Sequence, residues 1–205
     1  MMEEAMEEAM EEATGSGSAV PQPLARTDST SRSIAFIALT IALTAVSAWI
    51  TVPFGPIPFT LQMFAVTFMI LVLTPKQAIA AIAGYLVLGA LGVPVFSGMR
   101  GGIGVLMGPT GGYLWGYLIG VAAASLVLAL LRSRGRDGFA CGMLAGVLFT
   151  AVAYICGCLQ YAALAHMGFF EAFLVTGAPF IVLDLIKIAA ATACARMVIR
   201  AVPRR

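Results

Sequence analysis

Charge is what this sequence has least of. Only 11% of its 205 residues are Asp, Glu, Lys or Arg, against about 25% in soluble domains, while 60% are hydrophobic. With a mean hydropathy of +0.97, this excludes an ordinary globular cytosolic enzyme. Lysine is nearly absent: Lys76 and Lys187 are the only two, and neither closes a glycine-rich phosphate loop, so the chain carries no Walker A site of its own. His166 is the single histidine, near the end of an apolar run, and reads as an interfacial residue. Cys141, Cys156, Cys158 and Cys194 lie within apolar runs without the Cys-x-x-Cys and His spacing of a zinc site, and read as small buried hydrophobes. No serine, cysteine or threonine stands beside a candidate base, so intramembrane hydrolysis finds no support, and neither metal nor cofactor is expected. The basic residues flank apolar runs and are not clustered with polar ones, which favours a bilayer over nucleic acid as partner.

What is present is a series of long apolar runs. The first twelve residues repeat Glu-Glu-Ala-Met, a Gly/Ser/Thr/Pro-rich stretch follows, and residues 1–32 together read as a flexible acidic arm that buries almost nothing. An acidic start also excludes a signal peptide. Residues 33–202 read as an all-α integral membrane domain, with spans at 33–52, 59–74, 76–92, 112–131, 139–166 and 173–201, each near the roughly 20 residues that cross a bilayer as helix. Ten of the twelve basic residues (Arg26, Arg32, Lys76, Arg132, Arg134, Arg136, Arg196, Arg200, Arg204 and Arg205) then fall on one side, which predicts cytoplasmic N and C termini. The opposite connectors, 53–58, 93–111 and 167–172, hold only Arg100 and the acidic Glu171.

Small residues recur four apart: Gly112, Gly116 and Gly120; Gly142 and Gly146; Ala38 and Ala42. That spacing lets helix backbones approach closely in lipid. Packing within the bundle accounts for the glycines, while Ala38 and Ala42 leave open a docking surface for another membrane protein.

The two remaining basic residues are the informative ones. Lys187 follows Asp184 by three positions inside an apolar helix, so both lie on one face. A charge near the bilayer centre costs roughly 2.5–3.5 kcal/mol on insertion scales. Either the two neutralise each other as a structural staple, or they face a cavity that receives a polar ligand. Arg100 is the sole ionic group in the glycine-rich, apolar loop between the third and fourth spans, which reads as an ordered, folded, non-helical segment. Its guanidinium suits a carboxylate, or is simply a solvated loop tip. Gln62, just inside the second span, is a donor and acceptor for a ligand or for a neighbouring helix.

The runs Pro56 to Gln62, Gly92 to Phe96, Gly101-Gly102, Gly108-Pro-Thr-Gly-Gly-Tyr113-Leu114 and Asp184-Leu-Ile-Lys187 resemble the BioY family, the biotin-binding S components of energy-coupling factor (ECF) transporters, over residues 33–202. The resemblance implies a six-helix protein that captures biotin from outside and works with a transmembrane coupling subunit and ABC-type ATPases. It implies that Asp184 accepts from ureido N–H, that Lys187 holds the ureido oxygen or balances Asp184, that Gln62 completes that ring, and that Tyr85 is a further contact. Arg100 would meet the valerate carboxylate, Phe96 and Tyr113 would wall the apolar middle, and Ala38 and Ala42 would face the coupling subunit. An S component for another vitamin, a secondary transporter using Asp184 as its coupling carboxylate, and a membrane protein in which the two charges merely pair are the alternatives.

Overall fold

The computed structural model describes residues 27–201 apart from 54 and 56. Residues 1–26, Pro56, Arg204 and Arg205 therefore lie outside it. The helical bundle belongs to the second of two units, Met1–Arg32 and Ser33–Arg205.

Helix α1 (Thr27–Trp49) leads into a two-residue antiparallel ladder, β1 (Thr51–Val52) with β2 (Phe59–Thr60), in which Thr51 faces Thr60 and Val52 faces Phe59. Helices α2 (Gln62–Val72) and α3 (Pro75–Ala90) follow. The second expected span starts later than its apolar run because Phe59 and Thr60 are committed to the ladder. Thr74 and Pro75 do not merely turn the chain. The Thr74 side chain accepts from Gln77 N–H, the Gln77 side chain accepts from Thr74 N–H, and Pro75 occupies the first helical turn, where its missing donor is not needed.

The glycine-rich loop departs from expectation by containing a short helix, α4 (Ile103–Met107), flanked by Gly102 and Gly108. Apolar residues every few positions give that one turn a buried side, with Leu106 inside. Helices α5 (Gly111–Ser133) and α6 (Phe139–Ala165) pack closely; α6 ends at His166, whose left-handed backbone (φ 53°) stops the helix. The sixth run is not continuous either. It comprises α7 (Phe169–Thr176), a 3-10 turn at Ala178–Phe180 and α8 (Ile181–Ala201), so Glu171 sits in the first turn of α7, not in a connector. Pro179 lacks the N–H that a continuing helix requires, and Phe180 N–H bonds to Gly177 O (2.9 Å) instead.

Among the described residues, four segments are long and apolar enough to cross a membrane: Thr30–Trp49, Gly111–Ser133, Phe139–Ala165 and Phe169–Ala201. Helices α2 (11 residues) and α3 (16 residues) fall short of the roughly 20 needed. The burial pattern is inverted relative to a water-soluble bundle. Ile119, Leu126, Ile155, Leu159, Ile186 and Met197 face outward, while Gln62, Asp184 and Lys187 are buried. Outward apolar side chains suit hydrocarbon as solvent, and the inward polar ones must find partners inside.

Helix α2 lies on α8, and α3 on α5. The α5–α6 contact is set by glycine: a Cβ at Gly112 would lie 2.4 Å from Cys156 O, and one at Gly116 2.7 Å from Ala153 Cα. Gly142 and Gly146 admit Thr192 and Ile188 of α8 in the same way. These glycines are thus consumed by internal packing, whereas Ala38 and Ala42 are exposed. Of the cysteines, Cys158 is buried, Cys141 and Cys156 are half-buried and Cys194 is exposed, so burial does not describe all four.

Candidate functional site

At the end of the bundle bearing the two longer loops, a cavity opens among β2, α2, α5, α6 and α8. About 620 Å³ of space lies between its walls, the open mouth included.

Its floor is ionic. Lys187 Nζ donates to Asp184 Oδ1 (2.7 Å) and to the Thr60 carbonyl (2.8 Å), and sits 3.7 Å from the Phe59 ring centroid. The Tyr154 hydroxyl donates to Asp184 Oδ2. Only 4% of Asp184 and 8% of Lys187 is exposed, so each charge survives because the other neutralises it and hydrogen bonds with Tyr154 and the Thr60 carbonyl support the pair. The geometry follows from the sequence: three residues apart on α8 puts both side chains on one face, and the β1–β2 ladder brings Phe59 and the Thr60 carbonyl over them.

A second polar chain runs beside it. Gln62 Nε2 donates to the Tyr85 hydroxyl (2.7 Å), which donates to Val95 O (2.9 Å); Thr60 Oγ1 donates weakly to Gln62 Oε1 (3.4 Å). Tyr85 is fully buried behind Gln62 and is not on the cavity wall. It orients the amide and anchors the loop at Val95.

The walls are aromatic. Phe96 packs edge-on against Tyr85 (5.5 Å between centroids) and over Gly89, where a Cβ would lie 2.0 Å from the ring, so only glycine admits it. Tyr113 donates to Thr176 Oγ1 (2.9 Å) and meets Tyr154 edge-on at 6.1 Å.

Two loops cover the opening and are tied together. Trp49 Nε1 donates to Pro94 O (2.8 Å), and Thr51 and Ser97 share a hydroxyl hydrogen bond of 3.2 Å. Gln160 of α6 donates to the carbonyls of Leu106 and Gly108, holding α4 down. Phe96 N–H bonds to Arg100 O (2.9 Å), closing a tight turn in which Met99 adopts φ 56°.

Of the residues singled out from the sequence, Gln62, Phe96, Tyr113, Asp184 and Lys187 converge on this one cavity. Arg100 does not line it: the residue is exposed and its Nε donates to Ser97 O (3.1 Å), placing the guanidinium just outside a wall residue. Sequence reasoning missed Phe59, Thr60, Tyr117, Tyr154, Thr176 and Phe180, which also line the site. Tyr117 carried a usable signal, lying one helical turn after Tyr113 and hence on the same face. Tyr154 carried none, since its helix is apolar on every side. Among the described residues there is no group of three or more His, Cys, Asp or Glu placed to hold a metal ion.

Outward apolar helices around a buried ion pair and an aromatic cavity define a membrane protein with an internal site suited to a small, partly apolar ligand. The BioY family model matches residues 20–204, and the chain belongs to the BioY family. It is 41% identical to the biotin transporter BioY of Thermotoga maritima over 73% of this chain and 85% of that one. It is 40% identical to the probable biotin transporter BioY of Pyrococcus horikoshii over 78% and 91%. The fold matches the crystal structure of the S component for biotin from an ECF-type ABC transporter, with a TM-score of 0.78 at 20% identity, covering 84% of this chain and 93% of that one.

Proposed function

We propose that this protein takes up biotin across the cytoplasmic membrane, as a high-affinity S component that captures the vitamin outside and depends on partner subunits for ATP hydrolysis. The carrying observation is the buried Asp184–Lys187 pair at the floor of an aromatic cavity, in a chain about two-fifths identical to proteins named as biotin transporters. Biotin fits that chemistry. Its ureido ring offers an N–H donor to Asp184, its thioether ring and methylenes suit aromatic walls, and its carboxylate is left pointing to the loops. A buried polar site rejects ligands that leave its groups unpaired, by factors far above what apolar contacts provide.

A cytoplasmic C terminus is supported by Arg132, Arg196 and Arg200, which line one cavity at the ends of α5 and α8. The exposed Ala38 and Ala42 would receive the transmembrane coupling subunit, with ABC-type ATPases supplying the energy this chain has no motif to harvest.

Purified protein should bind radiolabelled biotin, displaced by desthiobiotin but not by riboflavin or thiamine. Displacement by another vitamin instead would overturn the ligand. Uptake by vesicles lacking any ATPase, abolished by a protonophore, would overturn the dependence on partners.

Arg100 is assigned to the ligand carboxylate, because its tether to Ser97 leaves it a short swing from the cavity. Arg100→Gln should weaken biotin about tenfold, or ~1.4 kcal/mol, and biotinamide hardly at all. Equal losses for both ligands would return Arg100 to the role of a loop residue.

A further inference from the structure

Most of the hydrogen-bonding groups at the floor of the cavity are already committed to one another. Lys187 directs its ammonium at Asp184 Oδ1, at the Thr60 carbonyl and at the Phe59 ring, which occupies all three N–H directions. Asp184 receives Lys187 on one oxygen and Tyr154 on the other, yet each carboxylate oxygen keeps a further lone pair. Gln62 spends one N–H on Tyr85. The floor can thus accept N–H groups readily but has few donors to spare.

Tyr117 is the exception. It lines the cavity, is 4% exposed, and makes no hydrogen bond among the described residues. Among the described residues, the sealed polar side-chain atoms without a partner are Thr67 Oγ1 and Thr150 Oγ1, so the Tyr117 hydroxyl keeps accessible surface, and the space open to it is the cavity. One ring face is fixed against Phe149, 5.4 Å between centroids, so the side chain is braced in place. The neighbouring Tyr85, Tyr113 and Tyr154 all donate to protein acceptors. A buried hydroxyl left unpaired is costly, and it is satisfied most directly by whatever fills the site.

Resting on the biotin reading above, we propose that the Tyr117 hydroxyl donates to the ligand's ureido oxygen, while Lys187 stays with Asp184 as its counter-ion. Lys187 would have to surrender an existing contact to reach that oxygen, whereas Tyr117 gives up none. The site therefore recognises the urea by splitting it, one N–H to Asp184 and the carbonyl to Tyr117.

The test compares biotin with 2-thiobiotin, whose thiocarbonyl is a much poorer acceptor, on wild type and Tyr117→Phe. The substitution keeps the ring against Phe149 and removes only the hydroxyl. Biotin affinity should fall five- to twentyfold and that of 2-thiobiotin less than twofold, with the thermal midpoint of the ligand-free protein unchanged. Unchanged biotin binding, or an equal loss for both ligands, would overturn the assignment. Replacing Tyr117 with 3-fluorotyrosine, a stronger donor, gives a second readout that leaves the ring in place, and should tighten biotin relative to 2-thiobiotin; weaker or unaltered discrimination counts against the contact. Failure of wild type to bind biotin at all would instead overturn the ligand reading, and this contact with it.

Discussion

Asp184→Asn is expected to weaken biotin at least tenfold, about 1.4 kcal/mol, and to destabilise the ligand-free protein by about 3–5 kcal/mol. The two losses have different origins. Affinity falls because an amide oxygen accepts less strongly than a carboxylate and its NH2 opposes an incoming ureido N–H. Stability falls because Lys187, 8% exposed, loses its buried counter-charge and keeps only neutral partners, an amide oxygen, the Thr60 carbonyl and the Phe59 ring. Equilibrium binding and thermal unfolding in detergent separate them. The double substitution Asp184→Leu with Lys187→Met should restore most of the stability, since apolar replacements of similar size do not leave a charge stranded, yet should not restore binding. Normal biotin binding by that double variant would make the pair a staple and nothing more.

The second large effect is expected at the α5–α6 contact. A Cβ at Gly157 would lie 2.4 Å from two carbons of the Tyr113 ring. That ring has nowhere inexpensive to go, being bonded through its hydroxyl to Thr176 and packed edge-on against Tyr154. Gly157→Val should therefore cost about 3 kcal/mol through overpacking and should weaken ligand binding, because Tyr113 is driven into the cavity it lines. Gly104→Ala is the matched control: no atom lies within 4 Å of its added carbon, and near-wild-type behaviour is expected. Wild-type stability in Gly157→Val, read from the unfolding midpoint, would show that these helices do not meet at that glycine.

The helical runs were legible because each is a local composition, ended by residues with a local cause: the Thr74 cap, the glycines around Ile103–Met107, and Pro179. The same residues explain the departures. Pro179 splits a run that hydropathy alone joins, and in doing so turns Thr176 and Phe180 toward the cavity. Gln62, Asp184 and Lys187 were findable because a polar side chain in hydrocarbon demands a partner. Tyr154 was not, although it completes the shell of Asp184, because aromatic residues are unremarkable in an apolar helix.

Hydropathy per residue and the sparseness of charge dictate a membrane-embedded chain, since transfer into lipid is close to a sum over local segments. Which residues meet is another matter. Helices apolar on every side carry no stripe to tell inward from outward, so facing is decided by where glycines let backbones approach. The bond from Lys187 to the Thr60 carbonyl spans 127 positions of sequence. It exists because a two-residue ladder and a helix from the other end of the chain are packed against one another, and only that packing places Arg100 outside the wall and Tyr117 within it.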